Sequence, residues 1–121
     1  MNYQKKFGAW GENVALDYLL NLDYLLIEKN YHTRYGEIDI VVLKDNIIYF
    51  IEVKTRSSDE FGLPEDSISN TKREKLLSSA LLFLEEHPEL PEDWQFDLIT
   101  VEGKYQSDQP AITHFINAVV E

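Results

Sequence analysis

The stretch YGEIDIVVLKDNIIYFIEVKTR, Tyr35–Arg56, decides the fold of this chain. It consists largely of β-branched and aromatic residues, which favour strands. The pair Asp45–Asn46 interrupts it and suits the two-residue turn of a β-hairpin. Two acids, Asp39 and Glu52, stand in these strands where apolar side chains would be the usual choice.

A two-residue turn fixes the register of this hairpin. Lys44 then opposes Ile47 and, counting back along both strands, Asp39 opposes Glu52. A three-residue turn would instead place the two acids on opposite faces. Since directly opposed residues share a face, four charged residues are predicted on one face: Glu37, Asp39, Glu52 and Lys54. Seven apolar residues are predicted on the other: Ile38, Ile40, Val42, Ile47, Tyr49, Ile51 and Val53.

The rest of the chain predicts helices and further strands around this hairpin. The predicted elements are a helix from about Gln4 to Asn21, strands at 24–33, 36–43 and 47–55, a helix from Thr71 that Pro88 stops, a strand at 94–101, and a last strand or short helix at 111–120. This order, α-β-β-β-α-β, describes an α/β protein with a mixed sheet flanked by helices. The 121 residues fit one domain, 1–121.

The fifteen-residue segment 56–70, RSSDEFGLPEDSISN, predicts a long loop between the third strand and the second helix. Loops of that length in a small domain are usually functional or mobile. Its closing over a substrate is a hypothesis at this point.

The composition indicates a soluble, cytoplasmic protein. The chain has no cysteine, which excludes disulfides and thiolate metal sites and fits a reducing compartment. No apolar run reaches the roughly 18 residues of a membrane span, and the N-terminus lacks the apolar region of a secretory signal. No membrane association is therefore expected.

The net charge of −11 argues against simple nucleic-acid binding, because phosphate binders usually carry a basic surface. The distribution leaves room for a local basic patch on an acidic protein. The basic residues close to the decisive stretch are Arg34, Lys54, Arg56, Lys72, Arg73 and Lys75.

The opposed acids need compensation for their repulsion, which costs roughly 0.2–1 kcal/mol when solvated and more when desolvated. A hard divalent cation, Mg²⁺ or Mn²⁺, would take their carboxylate oxygens, activate a water and stabilise charge on a phosphoryl oxygen. Lys54, on the same face, could orient that water or stabilise the developing charge. The alternative is a charged sheet edge neutralised by Lys54 and Arg56. Spacing alone leaves both interpretations open.

These residues resemble the PD-(D/E)xK nuclease superfamily, with Asp39 as the first acid and Glu52-Val53-Lys54 as the E-x-K element. More closely, the chain resembles the bacterial YraN-like family, small proteins likened to Holliday junction resolvases. The resemblance implies a restriction-endonuclease-like core and follows nearly the whole chain. The matching pieces are GAWGENVALDYL, GEIDIVV, FIEVKTR, FGLPEDSISNTK and FDLITV.

The resemblance implies a role for each matching site residue. Glu12, in the first helix, would supplement the metal site. Asp39 and Glu52 would be direct metal ligands, and the Val53 carbonyl a third. Lys54 would be the catalytic lysine.

The implied substrate is nucleic acid, in particular DNA, in branched or processed form. Lys72 would meet a phosphate together with the helix N-terminus, and Arg34 and Arg56 are further candidates for substrate binding. The implied reaction is metal-dependent hydrolysis of phosphodiester bonds. The alternative is a catalytically idle module that binds nucleic acid or a protein partner on the same fold. A homodimer would follow from resolvase-like activity, since two symmetric cuts need two sites.

Overall fold

The computed structural model describes residues 2–57 and 70–117. The predicted long loop therefore lies almost entirely outside the described residues. The elements are α1 (Tyr3–Asn21), β1 (Leu25–His32), β2 (Glu37–Lys44), β3 (Ile47–Arg56), α2 (Asn70–Glu86), β4 (Trp94–Glu102) and β5 (Ala111–Ile116). Neither helix is long and apolar enough to cross a membrane, as far as the described residues go.

The described strands form one sheet in the order β1-β2-β3-β4-β5. All neighbours are antiparallel except β3 and β4, which run parallel with α2 between them in the chain. The predicted class, an α/β fold with a mixed sheet flanked by helices, is confirmed and is consistent with a restriction-endonuclease-like core. The segment left open as strand or helix is the strand β5, and α2 begins one residue earlier than predicted, at Asn70.

The hairpin of β2 and β3 has the predicted turn and, from its turn as far as Ile40 and Ile51, the predicted register. The predicted opposition of Asp39 and Glu52 lies beyond the last matched pair. Asp45 and Asn46 both have left-handed φ angles, 52° and 68°, as the favoured two-residue turn requires. Lys44 pairs with Ile47, and the matched pairs continue to Ile40 with Ile51.

Each face of the sheet carries a helix and an apolar core. The core on the α1 face contains Ala15, Leu19, Ile40, Val42, Ile51, Val53, Ile99 and Val101. The core on the α2 face contains Tyr31, Ile38, Val41, Ile48, Phe50, Leu76, Ala80, Phe83, Phe96 and Leu98. Both faces of the central strands are therefore buried, which explains why β2 and β3 read as nearly continuous apolar runs.

The predicted alternation of faces is wrong at the start of β2. Ile38 and Ile40 would share a face in a regular strand, but Ile38 packs with Val41 on the α2 face and Ile40 packs on the α1 face. The alternation of side chains between the two faces of the sheet therefore breaks at Asp39, next to Ile40 and Ile51, the last matched pair of β2 and β3. In β1, Asn30 lies between the residues that pair with Ile40 and Ile38, and its φ of 51° is left-handed. The irregular backbone of β1 and β2 thus lies beside the acid Asp39.

Candidate functional site

Glu52 is the buried centre of a charged cluster. The residue is only 5% exposed, although it carries a carboxylate in the middle of the sheet. The Lys72 ammonium, on the first turn of α2, lies 2.6 Å from Glu52 Oε2. The Lys54 ammonium, two residues along β3, lies 3.9 Å from the same oxygen. Two lysines thus compensate the cost of burying this carboxylate.

Asp39 is held against the third strand by a backbone group. Its Oδ2 accepts a hydrogen bond from the Val53 N–H at 2.8 Å, so a side chain serves as acceptor where the ladder between β2 and β3 has ended. Burial, followed by the charge of Glu52, raises the pKa of Asp39 to about 8, and the Val53 hydrogen bond only partly offsets this. The site is therefore short of positive charge at Asp39.

Glu12 reaches the same cluster from α1. Its Oε1 accepts a hydrogen bond at 3.0 Å from Asn30 Nδ2, and that amide also donates to Glu37 Oε2 at 2.8 Å. Burial raises the pKa of Glu12, the Asn30 hydrogen bond lowers it, and the charges of Glu37 and Glu52 raise it further. Asn30 thus bridges two acids with hydrogen bonds and supplies no positive charge to either.

A close contact between α1 and β3 fixes the position of Glu12. A Cβ added at Gly11 would lie 2.7 Å from Thr55 Cγ2 and 2.8 Å from Thr55 Cβ, closer than real side-chain contacts. Only glycine lets the helix approach the strand at this point. Because Glu12 is the next residue, this contact sets how near its carboxylate lies to Asp39.

The two lysines have opposite titration behaviour. Burial, with the hydrogen bond and charge of Lys72, lowers the pKa of Lys54. Burial also works to lower the pKa of Lys72, but the hydrogen bonds with Glu52 and Lys54 and the charges of Glu52 and Asp39 together outweigh it, so that pKa is raised. Lys72 therefore stays charged more firmly than Lys54, which is the one better suited to exchange a proton.

The structure brings Glu12, Asp39, Glu52, Lys54 and Lys72 together, within reach of one another's charges. Val53 contacts Asp39 through its N–H. The remaining two candidates have other contacts. Arg34 is in the β1–β2 turn, where it donates to the Tyr35 hydroxyl at 2.7 Å. Arg56 ends β3, and its carbonyl accepts a hydrogen bond from Gly103 N at 3.0 Å.

No three or more His, Asp or Glu side chains within 2–57 and 70–117 are grouped so that they could hold a metal ion. The carboxylates of Asp39 and Glu52 nevertheless suit a hard cation, because Mg²⁺ is usually held by one or two carboxylates and keeps several waters. The raised pKa of Asp39 and the ammonium on Glu52 both indicate a place that attracts positive charge.

Sequence reasoning missed Asn30 and the pair of Asp97 and His114. Asn30 is a poor strand former inside a strand, and this was the available signal. Asp97 is fully buried, and its Oδ2 lies 2.7 Å from His114 Nε2. His114 Nδ1 in turn lies 3.1 Å from the Tyr18 hydroxyl. These contacts connect β4, β5 and α1. The spacing of Tyr18, Asp97 and His114 in the sequence does not predict them.

Comparison with known proteins identifies the family. The model of the uncharacterised protein family UPF0102 matches residues 11–101, a range that includes Glu12, the hairpin and all but the last residue of β4. The chain belongs to the UPF0102 family. This is the YraN-like, nuclease-like group that the motifs had indicated.

Relatives within UPF0102 align over most of their length. A UPF0102 protein of Syntrophomonas wolfei is 40% identical over 114 residues, covering 94% of this chain and 97% of the relative. One from Thermodesulfovibrio yellowstonii is 43% identical over 103 residues, covering 82% and 88%. One from Sulfurihydrogenibium is 41% identical over 96 residues, covering 79% and 84%. Their names give the family and no activity, so the chemistry must be argued from the site.

Proposed function

We propose that this UPF0102 protein is a divalent-metal-dependent nuclease that hydrolyses phosphodiester bonds of DNA. The observation that carries the proposal is the meeting of Asp39 and Glu52. A strand irregularity and a side-chain-to-backbone hydrogen bond hold these two carboxylates together in a poorly solvated place. A fold that only needed stability would gain little from such a pair, because buried like charges repel strongly.

Asp39 and Glu52 would hold Mg²⁺ or Mn²⁺, with the Val53 carbonyl as a further oxygen donor and Glu12 adding negative charge beside the site. When bound, the cation supplies Lewis acidity, which makes water a better nucleophile and offsets negative charge on phosphoryl oxygens. Asn30 keeps Glu12 oriented toward the site.

Lys54 is the residue proposed to act directly on the reacting groups. Its side chain is 27% exposed, so water and a phosphate can reach it. The lowered pKa brings its proton exchange nearer to neutrality. In this role Lys54 orients the attacking water and donates a hydrogen bond to a phosphoryl oxygen as charge develops there.

A second function, a binding module that does no chemistry, is favoured by one observation. The Lys72 ammonium forms an ion pair with Glu52 at 2.6 Å, so the chain compensates this carboxylate without a metal ion. In that case the acidic cluster would be a self-contained charged network, and the protein would bind nucleic acid or a protein partner through its surface.

Cleavage assays separate the two functions. Labelled single-stranded, duplex, flap and four-way-junction DNA would be incubated at low salt with Mn²⁺, Mg²⁺ or EDTA. Glu52→Gln, which keeps the side-chain shape, should lose activity by on the order of 100-fold or more, and Glu89→Gln, an exposed acid beyond α2, should retain it. No cleavage of any substrate by the wild type, with the fold intact by circular dichroism, would overturn the nuclease and favour the binding module.

A further inference from the structure

A cavity beside the acidic cluster is the feature from which we draw a further inference. It has a volume of about 350 Å³ and lies between the β1–β2 turn and the first turns of α2. Six side chains that line it enter the argument: Tyr35, Glu37, Thr71, Lys72, Lys75 and Leu76. Since Lys72 both lines the cavity and contacts Glu52, the cavity opens within one side-chain length of the proposed metal ligands.

One wall of the cavity is basic, on a protein whose net charge is −11. Lys72 and Lys75 lie one turn apart on α2, with the exposed Thr71 hydroxyl beside them. Within the described part of the chain, no acid lies within ion-pairing distance of Lys75. An exposed, uncompensated ammonium next to a hydroxyl can bind a phosphate group.

The other surfaces of the cavity suit a flat, partly apolar group. Tyr35 and the buried Leu76 both line it and supply an aromatic and an aliphatic side chain. The Arg34 guanidinium lies over the Tyr35 ring, 4.8 Å from the centroid, and donates a hydrogen bond to its hydroxyl. Glu37 forms an acidic wall that would repel a phosphate and leave it on the lysine side. Aromatic rings beside cations are the usual stacking surfaces for bases of single strands.

From these contacts we infer that the cavity binds one unpaired nucleotide of the strand that is cut, next to the scissile phosphate. Its base packs against Tyr35 and Leu76, and its phosphate meets Lys75 and Thr71. A cavity of this volume has no room for a base pair with two backbones, so the nucleotide must be single-stranded or leave the stack, which costs a few kcal/mol in a duplex. This inference rests on the proposed function and specifies its substrate class.

Binding without metal tests the inference independently of cleavage. The probe is a fluorescein-labelled short oligothymidylate, compared with a labelled duplex of equal length, in EDTA at low salt. Fluorescence anisotropy should show tighter binding of the single strand. Lys75→Gln should weaken its binding several-fold and reduce the slope of log K against log salt by about 0.7. Lys104→Gln, which removes an exposed lysine from the β4–β5 connection, should change affinity less than about twofold.

Substitution of Tyr35 is the second part of the test. It should have no effect if the oligonucleotide only binds to a basic surface. Tyr35→Ala should weaken oligothymidylate binding by about 5-fold or more, whereas Tyr35→Phe, which keeps the ring, should bind like the wild type. Thermal melts of each variant show that the fold is retained. Equal affinities for single strand and duplex, equal effects of Lys75→Gln and Lys104→Gln, or no binding of the oligothymidylate would each overturn the inference.

The two proposals fail in distinguishable ways. A wild type that binds the single strand through Lys75 and Tyr35 but cuts nothing retains the nucleotide site and loses the nuclease. A wild type that cuts DNA with Mn²⁺, while its Tyr35→Ala and Lys75→Gln variants bind and cut equally well, retains the nuclease and loses the nucleotide site.

Discussion

The Lys72 ammonium lies 2.6 Å from Glu52 Oε2, at the position where a nuclease of this type would need a cation. The carboxylate is buried, while the lysine comes from the exposed start of α2 and its side chain is 35% exposed. An ammonium on a flexible stem can leave such a site more easily than a buried carboxylate can do without a partner. Lys72 and a divalent cation should therefore compete for Glu52.

Lys72→Ala tests this competition. Without metal, the variant should lose about 1–3 kcal/mol of unfolding free energy, because Glu52 is left buried without its nearer counter-charge. Its affinity for Mn²⁺ should rise, since no ammonium has to be displaced. Isothermal titration calorimetry measures the affinity, and Lys75→Ala, one turn further along α2, is the control that should bind Mn²⁺ like the wild type. Equal affinities in all three proteins would contradict the competition.

The raised pKa of Asp39 makes stability depend on pH. A folded-state pKa of about 8, against an ordinary value of 3.8, means that the folded protein holds the proton more tightly than the unfolded chain. The stabilisation from this group is thus complete below about pH 4 and is lost as the pH rises through about 8. In EDTA, the melting temperature should fall across this window.

Asp39→Asn separates this effect from the general repulsion of an acidic protein at high pH. Its melting temperature should depend less on pH than that of the wild type, and it should be the more stable protein above pH 8. Asp17→Asn, on the exposed face of α1, removes one negative charge elsewhere and should keep the wild-type dependence. Parallel melting curves for wild type and Asp39→Asn would show that Asp39 does not contribute.

The two glycines of α1 should respond in opposite directions to alanine. A Cβ at Gly8 meets no described atom within 4 Å, so Gly8→Ala should stabilise the protein by up to about 1 kcal/mol through helix propensity. Gly11→Ala should cost roughly 1–3 kcal/mol, because its Cβ would overlap Thr55. Chemical denaturation gives both values. Adding Thr55→Gly to Gly11→Ala should recover part of the loss, and a Gly11→Ala protein as stable as the wild type would refute the close contact.

Asp97 should be important for stability although it is distinct from the proposed catalytic residues. Its carboxylate accepts hydrogen bonds from Gln95 Nε2 at 2.9 Å and Asn117 N at 3.0 Å, in addition to the contact with His114. Asp97→Ala leaves these donors without an acceptor in a buried place and should cost at least about 3 kcal/mol. Urea denaturation measures this loss. Asp108→Ala, at an exposed position, should change stability by less than about 0.5 kcal/mol.

The fold was predictable where local chemistry decides it. The turn at Asp45–Asn46 needs two left-handed residues, and short polar side chains tolerate that conformation, so the register followed from the sequence. The nearly continuous apolar runs of β2 and β3 likewise indicate central strands, because both faces of a central strand are buried. The observed ends of α1 and β1 differ from the predicted ends by at most one residue.

The arrangement at the site was less predictable, because it depends on contacts between distant residues. Ile38 departs from the alternation beside Asp39, whose side chain accepts a hydrogen bond from the Val53 N–H across the hairpin. Lys72 reaches Glu52 only after α2 has folded back over the sheet. Neither contact produces a periodic pattern in the sequence. Sequence patterns therefore indicate which residues belong to the site, but not which of them contact one another.

The two-residue turn between β2 and β3 has a consequence for the order of folding. A hairpin closes in microseconds, whereas the parallel pairing of β3 with β4 must wait for the whole segment that contains α2. Asp39 and Glu52 are therefore brought together before Lys72 arrives, and in the early chain only the more distant ammonium of Lys54 offsets their repulsion. Stopped-flow refolding should accordingly be faster at mildly acidic pH than at neutral pH, and Asp39→Asn should remove the difference.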